Sequence, residues 1–454
     1  MPDYKKQSKD VTIIGGGITG LASAYMAARA GKSVRVIESS KQFGGLLNTF
    51  EVENTRLEFY YHHFFTHDAE LNWLIRELKI EDKIFFKQST MGVFREGKIY
   101  PFNNIRDLLL FEPIRFFGKI RFGLSSLFLG KVANWKKFEG ISSIDWLYTW
   151  AGKNTTDILW RPLLNIKFGP FAKVVPLSWL IGRLKQRMSS RKNGDERLGY
   201  LKGSLQVLLD ALLARLIELD VELITESPVE RAFFKDARLI SVISIKGEFH
   251  SNQFLFTIPG SYLAPIIKNE APELALALSN IAYFGAVCTV LELDRPLSNI
   301  YWLNIANDGF PFGGIIEHTN FVDSTSYDGT HITYLSRYFA QDEAIAAMNN
   351  EEIKDLMIEA LPRIYKDFER KWIKKVSVFR TNTAATVCDL DFSRKVPKCK
   401  TEIENLFVSN MSHIYPDERS TNNSIRIAAE ACRVMGINTD YVPLNSSLSG
   451  QIGF

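Results

Sequence analysis

The chain has 454 residues, of which 46% are hydrophobic and 23% charged, with a formal net charge of +4. Such values describe a folded protein with enough chain for two or three structural units, and the charge is too small to mark a nucleic-acid binder. The cysteines Cys288, Cys388, Cys399 and Cys432 stand far apart, which predicts free thiols in a reducing compartment and no metal site.

The start of the chain, residues 1–10, is polar and has no apolar signal core. Lys5, Lys6 and Lys9 read as a solvated tail. No apolar run approaches the roughly 20 residues of a membrane-spanning helix. A cytoplasmic protein is expected. Residues 11–14 are a short apolar run, the mark of a buried parallel strand. The turn Gly15-Gly16-Gly17-Ile18-Thr19-Gly20 follows at once. Residues 18–30 then read as an alanine-rich helix closed by Gly31. Residues 33–37 form a second strand ending on Glu38, with Ser39 beside it, which completes a βαβ unit.

The glycine spacing has a physical reading. Gly15 permits the tight turn, Gly17 leaves the backbone open to a pyrophosphate, and Gly20 lets helix and strand touch. The helix start, at Ile18 and Thr19, offers unpaired N–H groups and a partial positive charge to phosphate. Glu38 is placed to accept hydrogen bonds from ribose hydroxyls and disfavours a 2′-phosphate, hence NADP. A purely structural glycine turn is the alternative; strand, helix and acid in their required places favour a dinucleotide site.

Further along, residues 102–191 are mostly helical in pattern, aromatic and basic. Leu205, Leu208, Leu212, Leu216 and Leu219 recur at helical spacing. Strands are expected at 222–225, around Pro228-Val229, and at 241–245, 254–258, 281–293 and 331–337. A helix is expected over 351–368. Near the end, residues 406–409 read as a strand. A polar loop and a helix follow, the helix carrying Ile425, Ala428, Cys432 and Met435 on one face.

The acid Glu38, followed by Gln42-Phe43-Gly44-Gly45, resembles the first motif of the FAD-dependent amine-oxidase superfamily, which includes protoporphyrinogen oxidases and phytoene desaturases. Gln42 stands where arginine is usual, and Lys41 is the nearest substitute charge. The segment Tyr200-Leu201-Lys202-Gly203-Ser204 and its following helix are similar to a family segment that leads to a valine near the adenine, here Val229; an ordinary strand valine is the alternative. Residues 254–259 resemble the strand that leaves the cofactor domain. Residues 406–410 and 419–425 resemble the last motif, with Ser409-Asn410 in place of Gly-Asp. There Asn410 would meet the ribityl chain, and Asn422 and Asn423 would open a helix under the flavin, with plain N-capping by Ser420, Thr421 or Asn422 as the alternative.

The resemblance implies an α/β fold: a Rossmann-type FAD-binding domain of the two-dinucleotide-binding-domain flavoprotein type, with a mixed α+β substrate domain and a helical insertion. The cofactor-binding domain would be discontinuous (1–110, 200–260 and 395–454), leaving 111–199 and 261–394 to the substrate. The expected function is FAD-dependent oxidoreduction, moving hydride or electrons from an organic substrate to flavin N5.

Two histidines among aromatics, His62 and His63, are candidates for the flavin's neighbour. Side chains alternate along a strand, so one of the pair is expected to reach the site, as acid or base near neutral pH, with a histidine hydrogen-bonded inside an aromatic core as the alternative. His413, Tyr415, Asp417, Glu418 and Arg419 are the second substrate-facing cluster, with Tyr415 and Arg419 in catalytic roles. Arg161 or Lys167 is suited to an anionic group, with a surface ion pair as the commoner alternative. The partner is a small-molecule substrate, lipid-like or nucleotide-linked. Residues 111–137 suit either peripheral membrane contact or an amphipathic cap over the site. Oligomeric state is left open. Two other functions fit the motifs: a redox-neutral isomerase resembling UDP-galactopyranose mutase, in which the basic residues near Arg161 and Lys167 would clamp a diphosphate, and a flavin-binding protein without catalysis, with which the departures at Gln42 and Ser409-Asn410 are compatible.

Overall fold

The computed structural model describes residues 8–192 and 195–444. Lys5 and Lys6 of the expected tail, and the ends 1–7 and 445–454 of the expected cofactor-binding domain, lie outside them.

The first apolar run forms the strand Lys9–Ile14, buried from Val11 onward and parallel to Val34–Ile37. The helix Ile18–Arg29 connects them, its inner face built of Ala22, Ala24, Ala27 and Ala28. Glu222–Ile224 and the second half of Gly247–Phe256 flank this pair in parallel, and Leu406–Val408 closes beside Phe256. Parallel strands covered on both faces must be apolar throughout, which explains their continuous hydrophobic runs. The first half of Gly247–Phe256 turns outward and pairs antiparallel with Arg238–Ser244, which pairs with Val229–Lys235. The C-terminal helix Thr421–Val434 lies against the first helix. Ile425, Ala428 and Cys432 share a core with Leu21 and Ala24, and Met435 joins it as expected.

A second, seven-stranded sheet runs in the order Ile373–Thr386, Tyr283–Leu293, His331–Phe339, Gly314–Glu317, Trp302–Ile305, Met91–Arg95, Lys98–Pro101. Tyr283–Leu293 is buried along its whole length. The hairpin at 91–101, expected with the cofactor-binding domain, joins this sheet instead, because Met91–Arg95 pairs in parallel with Trp302–Ile305. A smaller sheet joins Phe64–Phe65, Asp195–Leu201 and Ile84–Gln88.

Glu58, buried at the end of the strand Thr55–Glu58, ties these sheets together. Its carboxyl accepts from Tyr200 OH (2.7 Å) and Leu205 N (2.6 Å), and its backbone carbonyl accepts from Tyr334 OH (2.7 Å). Residues 102–191 are helical as expected, with Ile105–Leu110, Phe116–Leu127, Ser143–Trp150, Arg161–Phe168 and Leu177–Ser189 as the main helices. The helix expected over 351–368 is shorter. It spans Asn350–Glu359, opened by a capping box at Asn349, and stops before Leu361-Pro362. Proline cannot donate to the helix and disfavours helical geometry in the residue before it.

Candidate functional site

The glycine turn is built by close contact. Gly15 adopts φ +112°, and its N–H donates to Ile37 O at 2.9 Å. A Cβ on Gly20 would stand 1.9 Å from Gly15 O, so helix and strand meet without a side chain between them. Thr257 Oγ1 donates to Ile14 O and Gly15 O, both at 3.1 Å, and pins the turn from the neighbouring strand. Gly17 differs in kind: a Cβ there meets nothing within 4 Å. No side chain caps the helix that follows, which leaves the first-turn N–H groups, Ile18 and Thr19 among them, for an anion.

Gly44 and Gly45 cross this opening. Gly44 N donates to Gly16 O at 2.8 Å, and a Cβ on Gly45 would stand 3.2 Å from Gly17 Cα. Glu38 Oε2 accepts from Gly16 N (2.7 Å), while Oε1 accepts from Ser40 N (2.8 Å), Ser40 Oγ (2.7 Å) and Ser39 Oγ (3.2 Å). The carboxylate is therefore fixed beside the turn, and Oε2, with one bond, keeps acceptor capacity for a sugar hydroxyl. Ser227 N donates to Glu38 O at 2.9 Å, which sets Val229 two residues from that contact. A floor free of Cβ atoms, an uncapped helix start and a held carboxylate fit the adenosine diphosphate half of FAD. Gln42, where arginine was expected, is exposed.

The last motif is arranged differently from the expectation. Asn410 donates to Ile258 O (3.0 Å) and accepts from Ser412 N (3.0 Å) and Ser412 Oγ (2.7 Å). Its side-chain oxygen is used in capping the turn Met411–Ile414, and one hydrogen of its amide nitrogen is left for a ligand. Asn422 Oδ1 accepts from Leu71 N (2.9 Å), and Asn423 Nδ2 donates to Glu418 O (2.7 Å). The helix cap is Ser420, whose Oγ accepts from Asn423 N at 3.1 Å.

Beyond the turn lies an aromatic cleft lined by Lys167, Trp179, Phe284, Tyr338, Tyr415 and Arg419. Arg419 Nη2 donates to Tyr338 OH at 2.9 Å, and Arg419 Nε is buried without a hydrogen-bond partner among the described residues. Tyr415 lines the cleft, but its hydroxyl is bonded to the buried Ser178 hydroxyl. Tyr338 was not singled out in the sequence. It reaches the site because His331–Phe339 lies between Tyr283–Leu293 and Gly314–Glu317 in the second sheet.

His62 and His63 sit in an irregular segment between strands, so alternation along a strand does not separate them. His62 Nδ1 lies 2.5 Å from Tyr60 O, and His63 Nδ1 lies 3.4 Å from Tyr301 OH. Burial, then the nearby Arg419 charge, lowers His62 to about 4. Burial, then Arg187 and Arg183, lowers His63 to about 3. Both imidazoles are neutral at physiological pH, contrary to the expectation of a group titrating near 7. His413 is a core histidine. Its ring nitrogens lie 3.3 Å from Asn410 N and 3.1 Å from Pro397 O, and burial takes it down to about 4.

The expected anion binders are already paired. Lys167 is bonded to Glu418, and Arg161 Nε lies 3.3 Å from Asp157 Oδ1. Asp417 holds the buried Arg426 at 3.0 Å. Burial alone would raise the Glu418 carboxyl, but Lys167, Arg183 and Arg419 outweigh it and hold it below its usual range. Arg183 comes beside Glu418 because Gly182 lets its helix press on Pro416; a Cβ on Gly182 would stand 2.4 Å from Pro416 O.

The family described as flavin containing amine oxidoreductase matches residues 18–387. Among solved structures, a provisionally assigned protoporphyrinogen oxidase from Exiguobacterium sp. 255-15 is similar over 94% of this chain and 99% of its own, with TM-score 0.74 and 16% identity. A reduced UDP-galactopyranose mutase is similar over 98% of this chain and 97% of its own, with TM-score 0.75 and 14% identity. These two likenesses establish the fold. Among curated proteins, the inactive all-trans-retinol 13,14-reductase of Danio rerio is 48% identical over 54 residues, 12% of this chain and only 9% of that protein. The chain belongs to the flavin-containing amine oxidoreductase family, an FAD-dependent oxidoreductase in class with FAD as its cofactor.

Proposed function

We propose that this protein oxidises a small organic substrate bearing a carboxylate or phosphate, with the anionic end held by Arg419 in the aromatic cleft. FAD supplies the redox chemistry when bound, accepting hydride or electrons at N5. The chain's own residues position and exclude. Gly17, Gly45 and Glu38 would hold the adenosine diphosphate half, with Val229 beside the adenine. The backbone N–H of Asn422, at the helix start beside the capped Asn423, would face the flavin ring. Tyr61 and the neutral His62, both within electrostatic reach of Arg419, would flank Tyr338 behind the substrate.

The observation that carries this reading is Arg419: its Nε has no hydrogen-bond partner among the described residues, and its other bond goes to a phenol. Arg419 is half-buried, and Tyr338 and Glu418 favour its charge while leaving its Nε without an acceptor; an incoming anion would supply one. Among lipid-like compounds the fatty acids and lipid phosphates carry such a group, and nucleotide-linked compounds carry one in their phosphates. The peripheral membrane contact expected of residues 111–137 belongs with the lipid-like class, since such a substrate has to leave a bilayer.

The test is anaerobic stopped-flow mixing of the flavin-loaded protein with amines, carboxylates, lipid phosphates and nucleotide-linked compounds. Bleaching of the flavin absorbance by an anionic compound is the expected result. A pure protein that takes up no flavin would remove the basis of the proposal. Turnover seen only after chemical prereduction, with no net electron transfer, would move it to the isomerase class.

A further inference from the structure

The helix Phe116–Leu127 is turned inside out relative to an ordinary surface helix. Positions 116, 117, 120, 124 and 127 fall within an arc of about 100°, and all five are exposed, with Phe116 at 63%, Phe117 at 77% and Leu124 at 64%. The opposite face carries small or polar residues inward. Ser125 and Ser126 are buried, and a Cβ on Gly118 would stand 2.8 Å from Thr155 Oγ1. Phe122 fixes the inward face by stacking on Trp160 at 5.3 Å. Of the two roles expected for this stretch, a cap over the site would turn its apolar side inward; here the apolar side faces away from the protein.

Neighbouring elements extend the surface. The helix Ile105–Leu110 exposes Ile105, Leu109 and Leu110, and Val132 follows at 70% exposed. Trp150 is exposed at the edge, where Arg121 donates to its carbonyl at 2.9 Å. A contiguous apolar patch of this kind marks an interaction surface.

Charge selects the partner. Residues 105–137 hold seven basic side chains and two acids. Of the acids, Glu112 is paired with Lys98 at 3.3 Å, and Asp107 accepts from Asn103 N at 2.7 Å. Arg106, Arg115, Lys131, Lys136 and Lys137 are exposed. Exposed apolar side chains with basic residues around them match a bilayer whose headgroups are anionic. No helix among the described residues is long and apolar enough to cross a membrane, so this element would lie in the interface. We infer that residues 105–132, with Lys136, Lys137 and Trp150, form a docking surface for an anionic lipid bilayer. This inference rests on the surface itself and not on the oxidoreductase reading.

Flotation of the flavin-loaded full chain with substrate-free vesicles tests it, so a wrong substrate assignment leaves the result untouched. The protein should float with vesicles of equal parts phosphatidylcholine and phosphatidylglycerol, weakly with phosphatidylcholine alone, and less as salt rises. Phe117→Glu combined with Leu124→Glu should abolish flotation. Lys136→Glu combined with Lys137→Glu should weaken binding to the anionic vesicles by about tenfold or more, and this second pair decides the matter if the first misfolds. Flavin content and far-UV circular dichroism report folding. Equal flotation with both lipid compositions, or none with either, overturns the inference. So does a concentration-dependent dimer in sedimentation velocity that Phe117→Glu dissolves while vesicles are ignored, since a second copy would then be the occupant.

Discussion

Replacing Gly17 and Gly20 with alanine, one at a time, should separate a pair of roles that the fingerprint mixes. A Cβ on Gly20 would meet Gly15 O at 1.9 Å, a contact no real atom pair makes, so helix or strand has to move. Overpacking of this kind typically costs about 1–3 kcal/mol, occasionally more. Gly20→Ala should therefore lower the stability of the cofactor-free protein by at least that amount. A Cβ on Gly17 meets nothing within 4 Å, and its φ of −73° suits any residue. Gly17→Ala should leave the cofactor-free protein within roughly 1 kcal/mol of the parent, the size of a lost glycine cap. It should instead collide with the pyrophosphate. If that collision again costs about 1–3 kcal/mol, the FAD dissociation constant rises roughly fivefold to over a hundredfold. Urea unfolding of the deflavinated proteins and titration by flavin fluorescence quenching read the two quantities separately. Gly17→Ala binding FAD as tightly as the parent would refute the placement of the pyrophosphate over Gly17.

Arg419→Ala should lower kcat/KM for the anionic substrate by roughly 10- to 150-fold, the loss of one charge-assisted hydrogen bond, with Arg419→Lys recovering some of it; an unchanged kcat/KM removes Arg419 from substrate binding. Glu58→Ala should cost roughly 2–5 kcal/mol in urea unfolding, because Tyr200 OH and Leu205 N lose a buried acceptor together. His62 gives a pH signature. Its folded value of about 4 lies below the ordinary 6.5, so the unfolded chain binds a proton the fold rejects. Stability should fall as pH drops from about 6.5 to 4, by up to roughly 3 kcal/mol from this group, and His62→Asn should lose that slope while matching the parent above pH 7. In turnover, a pH limb near 6.5 that vanishes in His62→Asn would restore proton transfer to the histidine.

The amino-terminal βαβ unit was legible because everything it needs is local: an apolar strand, a glycine turn, an alanine-rich helix and an acid within one stretch. Expected strands at 281–293 and 331–337 also carried their own pattern. What stayed hidden depends on partners far along the chain. The hairpin at 91–101 has no feature that says which sheet it joins; pairing with Trp302–Ile305 decides it. The histidine pair reads as titratable until burial and the charges of Arg183, Arg187 and Arg419 close around it. Periodicity marked an apolar stripe in 111–137 but could not say which side faced water, because that depends on Gly118 fitting against Thr155. The cap that Asn410 makes for Met411–Ile414 was likewise hidden, because it depends on Ser412 and the distant Ile258.

The same contacts weigh the rival functions. The redox-neutral isomerase reading relied on Arg161 and Lys167 to clamp a diphosphate. Each faces a carboxylate, Asp157 and Glu418, so a diphosphate would have to displace an existing ion pair before gaining anything. Together with the family match, this leaves the mutase reading unfavoured. The non-catalytic reading relied on the departures at Gln42 and Ser409-Asn410. Gln42 is exposed, and Asn410 has a structural task inside the protein that leaves the helix start of Thr421–Val434 intact. Neither departure places a side chain over Gly17 or fills the cleft at Arg419. The motif is altered where it can be altered without loss of the cradle, which is what a working flavin site with a different substrate requires.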